Sequence, residues 1–496
     1  MTRLRNLLLT AGITILTAGS LAAQARVITM LEDRNVLEFV GQFNNTATAV
    51  RHVLHGRLRR KEMRVTRLQT IGLLVCACLS WARPASADTV SDWNAIAVQV
   101  IAATPTHPGA TSFLDSATVQ AAVYDAVEAI DRRFKPYHVR IRGASGSPEA
   151  AAAKAAHDVL VNRFPDQAAS LDKTYHDYLA SNGLAEDDPG VVVGQKAAAG
   201  IIALRASDGS FPLNPPPFTG GNDAGVWRPT PSYLPGPPTT LAPMLAPWLA
   251  NVTPFTLVSP RQFRAPPPPD LTSRRYVNAY REAKALGELF SVARTPEQTE
   301  LAYFWAANYL VVWNRVLRDI ASTRVHKIGD SARLFALANL AMADAAITAW
   351  DTKTHYVFWR PVTAIQEGDN DGNPHTEGQP SWQPLINTPN YPDYSSGANN
   401  VTGAATRILA LFFGTNKLTF SVNTTNPLAV QQTRTYYRFS DAASDVVNVR
   451  IYEGIHFRFA DTAARRQGRH VAKWTFEHFL RRVNDDDDHH HGEHRD

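Results

Sequence analysis

One stretch of this sequence decides the fold: Lys353-Thr354-His355-Tyr356-Val357-Phe358-Trp359-Arg360-Pro361. Its two cations, Lys353 and Arg360, are seven residues apart, which predicts two turns of one helix face, and Pro361 would end or redirect that helix. Taken alone, the spacing is equally typical of a solvated helix face. Because three aromatic residues stand between the cations, the pattern instead favours buried cations, which need an anion.

A second stretch, Tyr391-Pro392-Asp393-Tyr394-Ser395-Ser396-Gly397-Ala398-Asn399-Asn400, precedes a predicted helix over 402–413. A Ser-Gly turn that opens a helix presents backbone N–H groups and the positive end of the helix dipole, which together form an anion seat. The alternative is an ordinary N-cap.

A third stretch is Arg450-Ile451-Tyr452-Glu453-Gly454-Ile455-His456-Phe457-Arg458-Phe459. An arginine and a histidine six residues apart, in an apolar helical setting, can both face one interior pocket. A hydrogen-bonded core histidine is the alternative interpretation of His456.

In this order, the three stretches resemble the signature shared by the vanadium-dependent haloperoxidases and the type-2 phosphatidic acid phosphatases: Lys-x6-Arg-Pro, a Ser-Gly turn, and Arg-x5-His. Each motif is weak singly, but the ordered trio is specific. The resemblance to the bacterial haloperoxidase-like branch covers residues 88–482. Further matching segments are Asp92–Ala95, Asn214–Gly220, Trp227–Pro231 and Phe304-Trp305.

The resemblance implies an all-α fold, with one large helical-bundle domain over 88–482, and a vanadate site in which phosphate is an alternative occupant. Lys353, Arg360 and Arg450 would hold the equatorial oxygens of the anion. Ser396 and the Gly397 N–H would complete the cage. His456 would be the axial vanadium ligand or the nucleophile that accepts a phosphoryl group.

This chain departs from the family pattern at three places. The acid-base histidine after Ser-Gly is replaced by Ala398, and alanine cannot move a proton. The carboxylate expected four residues after the axial histidine is replaced by Ala460, and Asp461 would point about 140° away on a continuous helix. Ala307-Asn308 stands where an acidic residue is expected. The possible substitutes for the missing acid are Asp393, Tyr394, His355, Asn399 and His375.

Outside these stretches, apolar residues repeat at helical spacing. The predicted helices cover 117–130, 148–164, 167–179, 190–206, 273–293, 296–305, 331–350, 402–413 and, as one or two helices, 441–482. Little alternation typical of strands is seen. Residues 211–269 are rich in proline and must be extended, either as a disordered linker or, as the interleaved Trp227, Trp248 and Phe255 favour, as a long arm packed on one domain.

The first 87 residues resemble two export signals in series, over 1–25 and 63–87, each with a basic start, a short apolar run and an Ala-x-Ala end. We therefore expect translation to begin at Met63 and a secreted or periplasmic protein to begin at Asp88; an uncleaved N-terminal extension is the alternative. Residues 483–496 form an acidic and His-rich tail, which we expect to be disordered.

Charge and cysteine content exclude several classes of protein. The first 87 residues hold 12 of the 50 Lys and Arg and 4 of the 45 Asp and Glu, which leaves 38 basic and 41 acidic residues in the body. A near-neutral body predicts no nucleic-acid partner. Both cysteines, Cys76 and Cys78, lie in the leader, so a protein that begins at Asp88 has no disulfide. No segment of the body reaches the roughly 20 apolar residues that we expect of a membrane span, and the sequence leaves the oligomeric state open.

Three functions are compatible with these residues. The first is a vanadate-dependent haloperoxidase that oxidises halide with hydrogen peroxide, weakened by Ala398. The second is an acid phosphatase that attacks a phosphoester through His456, and the third is a non-catalytic oxyanion-binding relative. The missing acid weighs most against the phosphatase, because a leaving alkoxide needs a proton unless its alcohol is already acidic.

Overall fold

Helices form nearly all regular structure in the residues that the computed structural model describes, which are 88–107, 109–231 and 241–483. The α-helices of these ranges, numbered in chain order, are α1 (Thr89–Ala102), α2 (Ser112–Asp131), α3 (Pro148–Arg163), α4 (Ala168–Asn182), α5 (Pro189–Arg205), α6 (Arg274–Gly287), α7 (Pro296–Trp305), α8 (Tyr309–Arg324), α9 (Ile328–Tyr356), α10 (Pro361–Gln366), α11 (Gly397–Phe412), α12 (Phe439–Tyr452) and α13 (Arg458–His478). The predicted all-α fold class is confirmed. The predicted export signals and nearly all of the tail lie outside the described residues.

Several helix starts follow caps that are visible in the sequence. Ser147 caps α3 through its side chain, and Pro148 takes the first helical position. Thr295 and Gln298 form a reciprocal capping box at the start of α7. Such caps stabilise a helix by about 1 kcal/mol, and the predicted starts at 148 and 296 agree with the structure.

Helix α6 is shorter than predicted, because it ends at Gly287 rather than at Ala293. The backbone of Gly454 lies so close that a Cβ atom at position 287 would be 2.5 Å from its Cα. Beyond this contact the Arg294 guanidinium donates a hydrogen bond of 2.7 Å to the carbonyl of Leu286. A side chain from outside the helix thus satisfies a carbonyl that the helix leaves free.

The central helix is α9, which packs against α2, α11 and α13. It extends beyond the predicted 331–350 at both ends. Among the described helices it is the one long and apolar enough to cross a membrane, and 94% of its most apolar window is buried inside the protein. Its last turn carries Lys353, so the main core leads directly to the predicted site.

The described parts of the proline-rich segment, 211–231 and 241–269, pack on the helices as the favoured interpretation predicted. Trp227 is fully buried and Phe255 nearly so. The Asp344 carboxylate in the middle of α9 accepts hydrogen bonds from the N–H groups of Phe255, Thr256 and Leu257 at 2.6, 2.7 and 3.1 Å. One buried carboxylate therefore holds the arm against the central helix.

The prediction of little strand structure missed an antiparallel hairpin, β1 (Lys417–Asn423) with β2 (Thr433–Arg438). Leu418, Phe420 and Val422 alternate with polar residues, and the last two are buried. The period-2 signal was therefore present, but only over one short strand.

A smaller aromatic core lies beside the main one and surrounds the end of α9. Its largest members are Tyr276, Tyr280, Phe358, Trp359, Trp382, Tyr394, Phe457 and Phe459. Five of these residues, Phe358, Trp359, Tyr394, Phe457 and Phe459, come from the motif stretches, so this core fixes the backbone next to the predicted site residues.

Candidate functional site

The two cations of the first stretch do not share a helix. Helix α9 ends at Tyr356, where Val357 adopts a left-handed conformation with a φ of 48°. Arg360 follows in extended backbone as the N-cap of α10, whose first residue is Pro361. The prediction of one continuous helix face is therefore wrong, although Pro361 does redirect the chain as expected.

Carbonyl groups of the second stretch nevertheless bring the two cations together. Lys353 Nζ donates to the carbonyls of Pro392 and, at 3.1 Å, Asp393. Arg360 Nε donates to the carbonyl of Tyr391 at 2.7 Å. Both cations are fully buried, and each lies 4.8 Å from the centre of the Tyr391 ring. Burial, and then the charge of Arg360, lowers the pKa of Lys353 well below its usual value.

The third stretch is also broken between its two functional residues. Helix α12 ends at Tyr452, two residues after Arg450, and Gly454 turns the chain with a φ of 76°. His456 lies in the turn before α13 begins at Arg458. Although the predicted helical setting is wrong, His456 still faces the interior with 1% of its surface exposed.

His456 lies between a carboxylate and a guanidinium. Its Nδ1 is 2.6 Å from Asp393 Oδ1, and Arg360 Nη1 is 3.1 Å from its Nε2. Burial, and then the charges of Arg360 and Lys353, lowers the pKa of His456 well below its usual value, so the ring is neutral. A neutral ring that donates from Nδ1 to Asp393 carries its lone pair on Nε2, the atom required of an axial ligand or nucleophile.

The Ser-Gly turn opens a helix as predicted, but α11 begins at Gly397 rather than at residue 402, with Ser396 as its N-cap. Ser396 is fully buried and accepts a 3.4 Å hydrogen bond from Asn399 Nδ2. The first backbone N–H groups of α11 are therefore at the cage, as an anion seat requires.

Asp461 was predicted to point away from the site, and this prediction is wrong. It is fully buried, and its Oδ1 accepts a hydrogen bond of 2.8 Å from Asn399 Nδ2. Because α13 begins at Arg458, a helical angle counted from His456 does not apply. Burial, and then the nearby Asp393, raises the pKa of Asp461 well above its usual value, which favours the protonated form of this carboxyl group.

The sequence analysis missed the partner of Arg450. Glu453, three residues later, is fully buried, and its Oε2 lies 2.6 Å from Arg450 Nη1. Tyr309, which follows the Ala307-Asn308 pair, lies beneath the Arg450 guanidinium at 5.9 Å. The i, i+3 spacing of Arg450 and Glu453 was the available signal.

Two donors in this cluster fit an oxyanion. Arg360 Nη2 and Arg450 Nε are buried and have no hydrogen-bond partner among the described residues. An unpaired buried donor costs about 1–3 kcal/mol, so both groups are suited to hold an anion. Nor do the described residues offer a group of three or more His, Cys, Asp or Glu side chains that could chelate a bare metal ion. The donor set therefore fits vanadate or phosphate, with His456 as the single ligand to the central atom.

A cavity of about 370 Å³ opens beside the cage. Gly397, Ala398 and Arg450 line one part of it, and apolar residues such as Phe113 and Val401 line the rest. Ala398 thus borders open space next to the anion seat, where the family's histidine would stand.

The five proposed substitutes for that histidine differ in whether they lie in the site. Asp393 and Asn399 are buried in the site, whereas His355 and His375 are exposed. Tyr394 donates its hydroxyl proton to the carbonyl of Pro266 at 2.6 Å, outside the cage. Only Asp393 and Asn399 of the five lie where they could act.

Stability should depend on pH through the buried acids. Burial raises the pKa of Asp393 and of Glu453 to about 7, and that of Glu128 in α2 likewise to about 7. Since these pKa values exceed those of the unfolded chain, their stabilising contribution is complete below about pH 4 and is lost as the pH rises through about 7. We expect the oxyanion-free protein to unfold at a lower temperature at about pH 8 than at about pH 5. A Glu453→Gln variant should show a shallower dependence, and equal slopes in the wild type and this variant would contradict the assignment.

The C-terminal part of the chain is similar in sequence to known proteins. Residues 333–485 match the model of the VCPO second helical-bundle domain. The vanadium chloroperoxidase of Curvularia inaequalis is 30% identical over 213 residues, which are 36% of this chain and 34% of that protein. The aligned part thus spans about a third of this curated relative.

Solved structures extend the likeness beyond that segment. A bacterial vanadium-dependent iodoperoxidase superimposes with a TM-score of 0.66 and 23% identity over 78% of this chain and 96% of its own. A bacterial vanadium-dependent chloroperoxidase in its holo form superimposes with a TM-score of 0.62 and 18% identity over 76% of this chain and 93% of its own. Residues 333–485 therefore resemble the VCPO second helical-bundle domain, and the described chain has the fold of the vanadium haloperoxidases.

Proposed function

We propose that this chain is a vanadate-dependent haloperoxidase that oxidises halide with hydrogen peroxide. The observation that carries the proposal is the orientation of His456, whose Nε2 faces Arg360 while its Nδ1 is bound to Asp393. Arg360 and Arg450 each keep one buried donor without a partner among the described residues. This arrangement supports an oxyanion with a histidine on its axis.

Each cage residue has a defined task in this proposal. Lys353, Arg360 and Arg450 would neutralise the equatorial oxygens, and the Ser396-Gly397 turn would donate to them. When bound, vanadate supplies the Lewis-acid centre at which hydrogen peroxide is activated towards halide. Fixed cations stabilise the charge that develops there without reorganisation, which is often the largest catalytic contribution.

Proton transfer is the weak point of the site. Ala398 supplies no proton carrier, whereas the Asp461 carboxyl group, whose pKa burial raises, is connected to the site through Asn399. A path through an amide and a buried acid is a poor replacement for a histidine beside the anion. We therefore propose a slow enzyme rather than an inactive one.

A second candidate function is phosphoester hydrolysis. The Asp393–His456 pair favours it, because a neutral imidazole oriented by a carboxylate is also a nucleophile for phosphorus. Without an acid at position 398, such hydrolysis is limited to esters whose leaving groups are already acidic, such as p-nitrophenyl phosphate. Binding of an oxyanion without turnover is the remaining alternative.

The test compares two assays of the full chain. Loading with orthovanadate should produce bromide or iodide oxidation that requires hydrogen peroxide, while p-nitrophenyl phosphate hydrolysis should be slower and inhibited by vanadate. His456→Ala should lose the peroxidase activity, and His355→Ala, at an exposed histidine at the end of α9, should keep it. Hydrolysis without any halide oxidation would favour the phosphatase, and vanadate binding without either activity would favour a non-catalytic protein.

We also propose that the protein is exported to the periplasm or beyond the cell. The two signal-like segments within residues 1–87 support this proposal. N-terminal sequencing of the exported protein should begin at Asp88. Recovery of residues 26–62 in the mature form would refute the proposed start at Met63.

A further inference from the structure

A second cluster of cations lies on α13, away from the cage. It lines a cavity of about 580 Å³ between α11, α12 and α13, which we call the arginine groove. Its cations are Arg407, Arg458, Arg465, Arg466, Arg469 and Lys473. The groove shares no lining residue with the catalytic cage, and no carboxylate lines it.

Helix periodicity explains why the cations converge. Positions 458, 462, 465, 466, 469 and 473 recur at intervals of three and four residues, which places them on one face of α13. Arg407 of α11 faces this row from the other wall. Over the 15 intervals from 458 to 473 the row extends for about 22 Å, as a rise of about 1.5 Å per residue requires.

Four of the six cations have no acidic partner within ion-pair distance among the described residues. Arg458 pairs with Glu282 at 2.8 Å, and Lys473 lies 3.6 Å from Glu477. Among the described residues, no carboxylate lies within ion-pair distance of the remaining four, although Asp441 acts on Arg465 from farther away. Since the body of the chain has more acidic than basic residues, this local excess is not a consequence of composition.

Of these four arginines, Arg465 is held in place by hydrogen bonds, and the other three side chains are not. Arg465 is half-buried, and it donates to Ser444 Oγ at 3.0 Å and to the Ser440 carbonyl at 3.1 Å, which hold its guanidinium at the groove wall. The side chains of Arg407, Arg466 and Arg469 make no hydrogen bond to another described residue. Their guanidinium groups are therefore available to bind a ligand.

The cations of the arginine groove repel one another. Burial, and then Arg469, lowers the pKa of Arg465. Burial, and then Arg466, Arg469 and Lys473, lowers the pKa of His470 at the groove. Repulsion of this kind is relieved when an anion binds between the cations.

The shape and chemistry of the groove favour one class of ligand. Guanidinium forks bind phosphate oxygens in pairs, and each phosphate carries up to about two charges. A second cavity of about 340 Å³ shares Arg407, Arg465 and Arg469 with the groove, so the space in front of these three arginines continues beyond it. Neither cavity is lined by Phe, Tyr or Trp rings on which nucleic-acid bases stack, or by the large apolar side chains that insert into lipid.

We propose that the arginine groove binds a linear polyphosphate anion, that is, a ligand with two or more linked phosphate groups, at a site separate from the catalytic cage. Two adjoining cavities and an extended row of cations match an elongated anion better than a single phosphate. The site requires no covalent step and no contribution from the cage residues.

Calorimetric titration of the full chain with inorganic tripolyphosphate tests this proposal. Because the cage itself accepts phosphate-like anions, the titration is made with and without orthovanadate. The double variant Arg466→Ala/Arg469→Ala should weaken tripolyphosphate binding about tenfold or more, since each lost charge-assisted hydrogen bond contributes about that factor. Binding that depends on these arginines should persist with orthovanadate present.

The matched control is Arg140→Ala/Arg142→Ala, which removes the same charge from two exposed arginines between α2 and α3. It should bind tripolyphosphate as the wild type does, and all variants should unfold at similar temperatures. Equal losses in both double variants, or binding that orthovanadate abolishes, would overturn the proposal. Tighter binding of single-stranded DNA, of anionic vesicles or of an oligo-aspartate peptide than of tripolyphosphate would show that the ligand class is wrong.

Discussion

Replacing Ala398 with histidine is expected to raise bromide oxidation at neutral pH by about 10²–10⁴-fold, the usual contribution of a positioned proton carrier. Ala398 borders the 370 Å³ cavity beside Gly397 and Arg450, so an imidazole has room next to the anion seat. The cations that bind the anion are untouched. Vanadate affinity should therefore stay within about tenfold of the wild type, or about 1.4 kcal/mol.

Ala398→Gln is the control for this variant, because glutamine is similar in size to histidine and carries no titratable proton. It should leave the rate near that of the wild type. If the wild-type enzyme is already as fast as Ala398→His, another group carries the proton, and the buried acids Asp393 and Asp461 are the next residues to replace. If Ala398→His binds vanadate but stays inert, the chain is an oxyanion-binding relative rather than an enzyme.

Replacing Asp393 with asparagine is expected to weaken vanadate binding about 10- to 100-fold, as is typical when a group that orients a metal-ligating histidine is lost. Asp393 accepts from His456 Nδ1 at 2.6 Å and thereby leaves the lone pair on Nε2. An asparagine amide can donate to Nδ1 instead, which moves the ring proton to Nε2 and blocks the axial position.

Two measurements separate this role from a general loss of structure. Vanadium NMR gives the affinity, and nitrogen NMR of the His456 ring gives its tautomer in the vanadate-free protein. Asp177→Asn is the matched control, because the Asp177 side chain is 64% exposed and pairs only with Lys173 on α4. An unchanged tautomer together with unchanged affinity would show that Asp393 does not position His456.

The motifs in the sequence identified the residues of the cage, but they did not predict the backbone path that brings these residues together. The order of the three motifs was sufficient to predict that Lys353, Arg360 and His456 converge. The helix end at Val357 had no local signal, since a β-branched residue rarely takes a positive φ. Gly454 did signal the break before His456, and attention to it would have placed Asp461 inside the site.

Long-range pairs were beyond sequence reasoning of this kind. Asp393 and His456 are 63 residues apart, and no periodicity connects them. Asp393 was predicted only as one of several substitutes for the missing acid, whereas the structure places it on the far nitrogen of the histidine. Helix starts were easier to predict from the sequence, because caps such as Ser147-Pro148 act within one turn.

The carbonyl groups that position Lys353 and Arg360 have a consequence for how this site diverges in evolution. Residues 391–393 and Ile455 hold the two cations through main-chain oxygen atoms. Every amino acid supplies the same backbone carbonyl, so mutations that preserve the path of the loop can replace the residues at these positions without moving the cations. Distant descendants of such a protein should therefore retain the cage after the recognisable motif has disappeared, and a homology search that demands the histidine after Ser-Gly would overlook them.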